Sequence, residues 1–157
     1  MRSRGYKYMG PEKIPLYRRV FDEELQEVIY DVVLHIMTPT HKGDVLVLMM
    51  PPGQIKNPVY KDDWLIIPID DTPSVFKPNS IRVLNATGFH LEGVVDQDNV
   101  SLDLGLSEPF PLPSGNNFIH LGFAIQVPDG LELVYGNRLQ VSPAARIIIV
   151  LRPPRRK

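Results

Sequence analysis

An all-β fold, a single-domain sandwich or open barrel of short, mainly antiparallel strands, is what this sequence predicts. Three observations carry that expectation. Sixteen prolines and eleven glycines cut the chain into intervals mostly too short for a three-turn helix. The blocks between them are rich in β-branched and other apolar residues, as strands are. Turn-forming clusters separate the blocks at the spacing seen in sandwiches and barrels. At 157 residues one domain around one core is the expected size. The boundaries read as an extended basic arm over residues 1–19, a β-sandwich domain over 20–151 and a basic tail over 152–157.

Taken in order, the first fifteen residues contain Gly5, Gly10, Pro11 and Pro15 and no apolar periodicity, which suits an extended arm that needs a partner surface. Residues 22–33 carry a helical spacing behind a possible Asp22 cap. Residues 28–37, however, are β-branched and alternate through Tyr30, Val32, Leu34 and Ile36, so a strand preceded by at most one helical turn is preferred. Residues 45–50 are apolar throughout, as a strand buried on both faces would be. Residues 64–69 look similar, but Pro68 cannot donate to a ladder and points to an edge strand.

From residue 81 the hairpin grammar is clearer. Residues 81–84 lead through Asn85, Ala86, Thr87 and Gly88 into a strand over 89–95, and Asp96 to Asn99 turn into another over 100–104. A strand over 118–127 meets a Pro128-Asp129-Gly130 turn and returns over 131–135, and a final strand covers 146–151. The longest apolar run, 45–50, is far below the roughly 20 residues of a membrane-crossing helix, so no membrane span is expected. Residues 1–19 also lack the apolar segment of a secretion signal.

The near-neutral net charge of −1 hides an asymmetry. Six bases stand against Glu12 in residues 1–19, four more form the tail, and the body between them carries seven bases and seventeen acids. Basic ends on an acidic body suggest association steered by charge. Without cysteine there is no disulfide, zinc–thiolate site or thiol nucleophile.

The candidates for chemistry are sparse. A metal would want converging histidines and carboxylates; His90, His120, Asp96 and Asp98 are the residues to inspect, with Asn99 and Asp103 as further oxygen donors. The EF-hand order fails at Val100. Ser101, Ser107, Ser114 and Ser142 lie outside any Gly-x-Ser-x-Gly elbow and read as strand or turn residues. Asn85-Ala86-Thr87 and Asn99-Val100-Ser101 match the glycosylation sequon. No catalytic residue and no cofactor are expected.

Pro113-Ser114-Gly115 followed by His120 resembles the second motif of the cupins, but Phe118 stands where that family has histidine and no His-x-His precedes it. Leu102-Asp103-Leu104, Pro113-Ser114-Gly115 and the run 125–130 resemble turns of trimeric dUTPases, whose catalytic segments are missing here. The runs 83–88, 133–138 and 146–154 resemble a loose group of uncharacterised, apparently exported bacterial β proteins. That resemblance implies an envelope or periplasmic location if a leader has been removed, and a cytoplasmic one otherwise.

The function expected is a non-catalytic structural or protein-interaction module. In it Arg2, Arg4, Lys7, Arg18 and Arg19, with Arg152, Arg155, Arg156 and Lys157, meet the acidic bodies of other copies or of a partner. An alternative sets the same arms on nucleic-acid phosphates, with Tyr6 and Tyr8 stacking on bases. A further alternative is a metal- or small-ligand-binding β protein.

Overall fold

A computed structural model describes residues 8–37, 43–51, 64–112 and 118–153. Every regular element among them is a strand. β1 (Lys13–Asp22) and β2 (Glu27–Met37) form a two-stranded antiparallel ribbon, and β3 (Val45–Met50) pairs with β4 (Leu65–Asp70) in another. β5 (Ser80–Asn85) is the hub of a sheet in which β8 (Gly105–Leu106), β9 (Phe110–Pro111) and β12 (Arg146–Leu151) all pair with it. β6 (Leu91–Val95), β7 (Asp98–Leu102), β10 (Phe118–Val127) and β11 (Gly130–Gln140) build the last sheet in the order β11-β10-β6-β7. The sheets are open and do not close into a barrel. All pairs are antiparallel except β5 with β12.

The strand period of two explains the layering. Ile81 and Val83 of β5 meet Leu91, Val95, Val100 and Leu102 of the β6–β7 hairpin and Ile119, Leu121 and Phe123 of β10 in one core. Leu84 and Ala86, on the other side, join Met50 and Leu65 of the β3–β4 pair in a second cluster. The β5 sheet is therefore the middle of three layers. β12 shares that position: Ile147 and Ile149 pack on the first core and Val150 on the second. A parallel strand that packs side chains against cores on both faces needs an unbroken apolar run, which is what residues 147–151 supply.

Several expectations are corrected. Two-faced burial was assigned to residues 45–50, yet in β3 only Met50 is buried, because the β3–β4 pair is an outer layer. Within the stretch read as an arm, residues 13–19 are paired in β1 and do not project freely, with Lys13 opposite Met37 and Arg19 opposite Tyr30. A two-stranded ribbon leaves each strand one free edge, so Pro15 is tolerated there, and Arg18 and Arg19 obscure the apolar alternation of Ile14, Leu16 and Val20. β11 runs to Gln140 through Gly136 and Asn137, where a stop at 135 was expected. Arg2, Arg4, Tyr6, Lys7, Arg155, Arg156 and Lys157 lie outside the described residues, as does the Pro113-Ser114-Gly115 turn.

The sequon at Asn85 has a structural role. Its amide donates to the carbonyls of Phe89 (2.8 Å) and Leu102 (3.1 Å), and its oxygen accepts from the Thr87 amide (3.1 Å) and hydroxyl (2.7 Å). Asn85 is buried and its polar atoms are engaged, so it ties the β5–β6 loop to β7 and is closed to modification.

Candidate functional site

Residue by residue, the β1–β2 ribbon sorts into two unlike faces. Partners in an antiparallel register share a face, and here a bulge changes the phase: Leu16 faces Leu34 but Tyr17 faces Val32, leaving Val33 as the extra residue. One face beyond the bulge carries Tyr17 with Val32, Arg19 with Tyr30, and Phe21 with Val28. The other carries Arg18 with Asp31, Val20 with Ile29, and Asp22 with Glu27. Without the insertion, Asp31 and Ile29 would stand beside the aromatic residues of β1 instead.

The aromatic face is the solvent-facing one. Tyr17 is 58% exposed, Phe21 55% and Tyr30 64%, while Ile14, Leu16, Leu34 and Ile36 near the open end of the ribbon are half-buried or buried. The turn between the strands is firmly built: Asp22 Oδ1 accepts from the amides of Glu24 (2.9 Å) and Leu25 (3.0 Å), and Gln26 adopts φ 55° while its amide donates to the Glu23 carbonyl (2.8 Å). Asp22 thus caps a hairpin turn, where its position had suggested the cap of a helical one. The Arg18–Asp31 ion pair at 3.8 Å is exposed and adds little. A lone two-stranded ribbon is at best marginally stable in water. This one is long and also shows its aromatic residues to solvent.

A second feature lies on the outer face of the β11-β10-β6-β7 sheet. His90 Nδ1 is 2.9 Å from Asp103 Oδ1, and its Nε2 is 2.9 Å from Glu92 Oε1 and 3.0 Å from Ser101 Oγ. Ser101 also donates to Glu92 Oε1 at 3.2 Å. The hydrogen bond to Glu92, and then that to Asp103, raise the His90 pKa above its ordinary 6.5; in return His90, then Ser101, lower the Glu92 pKa.

Asp103, His90 and Ser101 have the spacing of a serine-nucleophile relay. Glu92 defeats that chemistry. Its carboxylate stands 2.9 Å from Nε2, the atom that would have to accept the serine proton, and takes the Ser101 hydrogen bond itself. A cleft of about 330 Å³ opens between β4 and β8 near Pro68 and Leu104, and one of about 210 Å³ lies by Tyr135 and Arg152, but neither includes a cluster residue. The cluster is a polar clamp across β6 and β7.

The clamp predicts a pH dependence. A raised His90 pKa gives stability that is fully present below 6.5 and is lost as the pH rises through the folded-state value. A lowered Glu92 pKa gives stability that is present above 4.5 and lost as the pH falls through its folded-state value. The urea midpoint of the protein should therefore exceed that of a His90→Asn variant most between pH 4.5 and 6.5, with the gap narrowing above that window. A gap that widens from pH 6.5 upward would refute the clamp.

Of the metal candidates His90 and Asp103 meet, and the others stand apart from them. His90 precedes β6 and Asp96 follows it, so they flank opposite ends of that strand. Asp96 meets His120 only through backbone, its amide donating to the His120 carbonyl at 2.6 Å, and Asp98 opens β7 opposite Val95. Among the described residues no group of three His, Asp or Glu side chains is placed to hold a metal ion. Sequence reasoning overlooked Glu92 and Ser101 as partners of His90. The signal was present: in the expected strands over 89–95 and 100–104, residues 90 and 92 alternate on one and 101 and 103 on its hairpin partner, and the period of two puts all four on one face.

Fold and surface together define a three-layered β protein that presents a solvent-exposed aromatic ribbon. No family model, no curated protein and no solved structure matches the chain. Its class is thus drawn from its own geometry. No helix among the described residues is long and apolar enough to cross a membrane.

Proposed function

We propose that the protein is a non-catalytic interaction module that assembles with copies of itself through the β1–β2 ribbon. The observation behind this reading is the exposed face of Tyr17, Phe21, Val28, Tyr30 and Val32 on a two-stranded element too slight to be stable by itself. Burying large apolar side chains contributes roughly 1.5–3 kcal/mol each, and aromatic residues beside arginine are the usual anchors of protein contacts. Arg19, at the centre of the same face, supplies that arginine. The contact is accordingly led by apolar burial, with the basic residues steering it.

The test is mass in solution, by sedimentation over a concentration series in low and high salt. Wild-type protein should form a species larger than a monomer that persists in high salt. The triple variant Tyr17→Ser/Phe21→Ser/Tyr30→Ser should associate at least about a hundredfold more weakly, equivalent to a few kcal/mol, with unchanged β-type circular dichroism. A wild type that stays monomeric throughout would end this reading. The nucleic-acid alternative has less support: Tyr8, one of its stacking residues, donates its hydroxyl to the Pro11 carbonyl (2.7 Å) and so is engaged locally. Retention of an oligonucleotide that vanishes with salt would revive it.

A further inference from the structure

Resting on the self-assembly reading, we infer that two copies stack ribbon on ribbon, aromatic face against aromatic face and antiparallel, about a two-fold axis level with Arg18. The bulge lies in β2, so the alternation of β1 is unbroken from Lys13 to Phe21. The aromatic face therefore continues to the open end of the ribbon, where Pro15 stands opposite His35 and Lys13 opposite Met37, itself 59% exposed.

What the ribbon lacks is a second layer. Two-stranded sheets that are marginal singly form, when packed face to face, a small sandwich with a core of its own. The area suffices. At roughly 200 Å² for a whole aromatic side chain, the open parts of Tyr17, Phe21 and Tyr30 come to about 350 Å². Val28, Val32 and Met37 bring the face to roughly 600 Å², and two such faces reach about 1,200 Å², the lower bound of a specific interface.

Charge fixes the direction of the stack. The aromatic face carries Lys13, Arg19 and His35 and no carboxylate, while the turn beyond Asp22 adds Glu23 and Glu24 and no base. The side chains of Lys13, Arg19, Glu23 and Glu24 make no hydrogen bond or ion pair among the described residues, whereas Glu12, the acid beside Lys13, is already engaged. A parallel stack would set acidic turn on acidic turn and cation on cation. In the antiparallel stack each residue of one β1 faces the residue equally far beyond Arg18 on the other. Lys13 then reaches the turn at Glu23 and Glu24, Arg19 faces Tyr17, and His35, level with Pro15, faces Phe21. Arg18 itself stays outside the stack, on the opposite face with Asp31.

One axis thus places both unpaired cations. Each Arg19 lies over a Tyr17 ring, the kind of contact that Arg138 makes with Phe118 at 4.2 Å inside this chain. The two Arg19 residues stand about 7 Å apart along the strands and about 10 Å across the layers, so roughly 12 Å in all, beyond the screening length of about 8 Å at physiological salt. Because the same patch serves both copies, the contact is isologous and closes at two.

Mixing variants with wild type decides the matter. Wild-type protein should stop at a dimer over a sedimentation concentration series. Labelled Tyr17→Ser/Phe21→Ser/Tyr30→Ser should bind wild type on the order of a hundredfold more weakly than wild type binds itself, because the stack needs two aromatic faces. Lys13→Glu alone, and Glu23→Lys/Glu24→Lys alone, should each dimerise about tenfold more weakly in low salt and match wild type in high salt. All should keep the wild-type circular dichroism. Mixed in equal amounts, the two charge variants should recover wild-type affinity as a heterodimer, since acid again faces base at both ends. If the triple variant binds wild type as tightly as wild type binds itself, the ribbon docks on another surface, and the stack falls while self-assembly stands. Charge variants that equal wild type in low salt would overturn the antiparallel stack in the same way, as would growth beyond a dimer. A monomeric wild type ends both readings.

Discussion

Gly93→Ala is expected to cost about 3 kcal/mol of stability, a loss that would move the urea midpoint sharply down. Gly93 sits on β6 opposite Phe123, with its missing side chain directed inward between Leu91 and Val95. A Cβ there would stand 2.2 Å from the Gly122 carbonyl oxygen and 2.6 Å from Phe123 Cδ1. The first of these is backbone and cannot rotate away. The Phe123 ring is fully buried and stacks on Tyr135 with centroids 6.1 Å apart, so a shift of the ring disturbs the centre of the core. Gly122→Ala is the control. Its Cβ meets only side-chain atoms at ordinary contact distance, and the change should be neutral within about 0.5 kcal/mol. Equal effects at both positions would show that the close approach of β6 to β10 is not what this fold depends on.

Asp71→Ala should be nearly as damaging, at roughly 3 kcal/mol. Asp71 follows β4 and Arg146 begins β12, so their ion pair, Nη1 to Oδ1 at 3.0 Å, ties the outer layer to the middle one. Arg146 Nη1 also donates to the Asp71 carbonyl, and its guanidinium lies 5.8 Å from the centre of the Phe76 ring. The Asp71 side chain is 6% exposed and that of Arg146 23%. Removing the carboxylate leaves a largely desolvated guanidinium without its counter-charge, which costs more than the pair contributes. The double variant Asp71→Ala/Arg146→Met should therefore recover much of the loss, and a double-mutant cycle by urea unfolding measures the coupling. A single-variant cost below about 1 kcal/mol would show that the two layers are joined by packing alone.

How much was legible in the sequence can be judged strand by strand. The bounds of β3, β10 and β12 agree with those expected, since each is an unbroken apolar or alternating block between strong turn residues. The two-residue strands β8 and β9 were not foreseen. They have no periodicity to detect and exist only because β5 offers them free hydrogen-bonding groups. The ribbon was half legible. Its second strand was anticipated, but Asp22 was read as a helix cap, and Pro15, Arg18 and Arg19 disguised the first strand as a charged arm.

The candidate surfaces divide in the same way. Tyr30 and Val32 were read only as members of an alternating strand, because alternation marks two faces without saying which one faces water. The His90 clamp required knowing that β6 and β7 pair with Leu91 opposite Leu102 and Glu92 opposite Ser101. A shift of that register by one residue would have sent the same side chains to opposite faces.

What the sequence alone determined is the all-β class, the place of most strands and the absence of thiol chemistry, because these follow from local propensity, turn chemistry and composition. Which strands share a sheet, which apolar run packs against cores on both of its faces and which aromatic residues are left in solvent were decided by tertiary structure. Those outcomes depend on pairings between residues far apart in the chain, where one inserted residue such as Val33 reverses a face, and no local pattern encodes them.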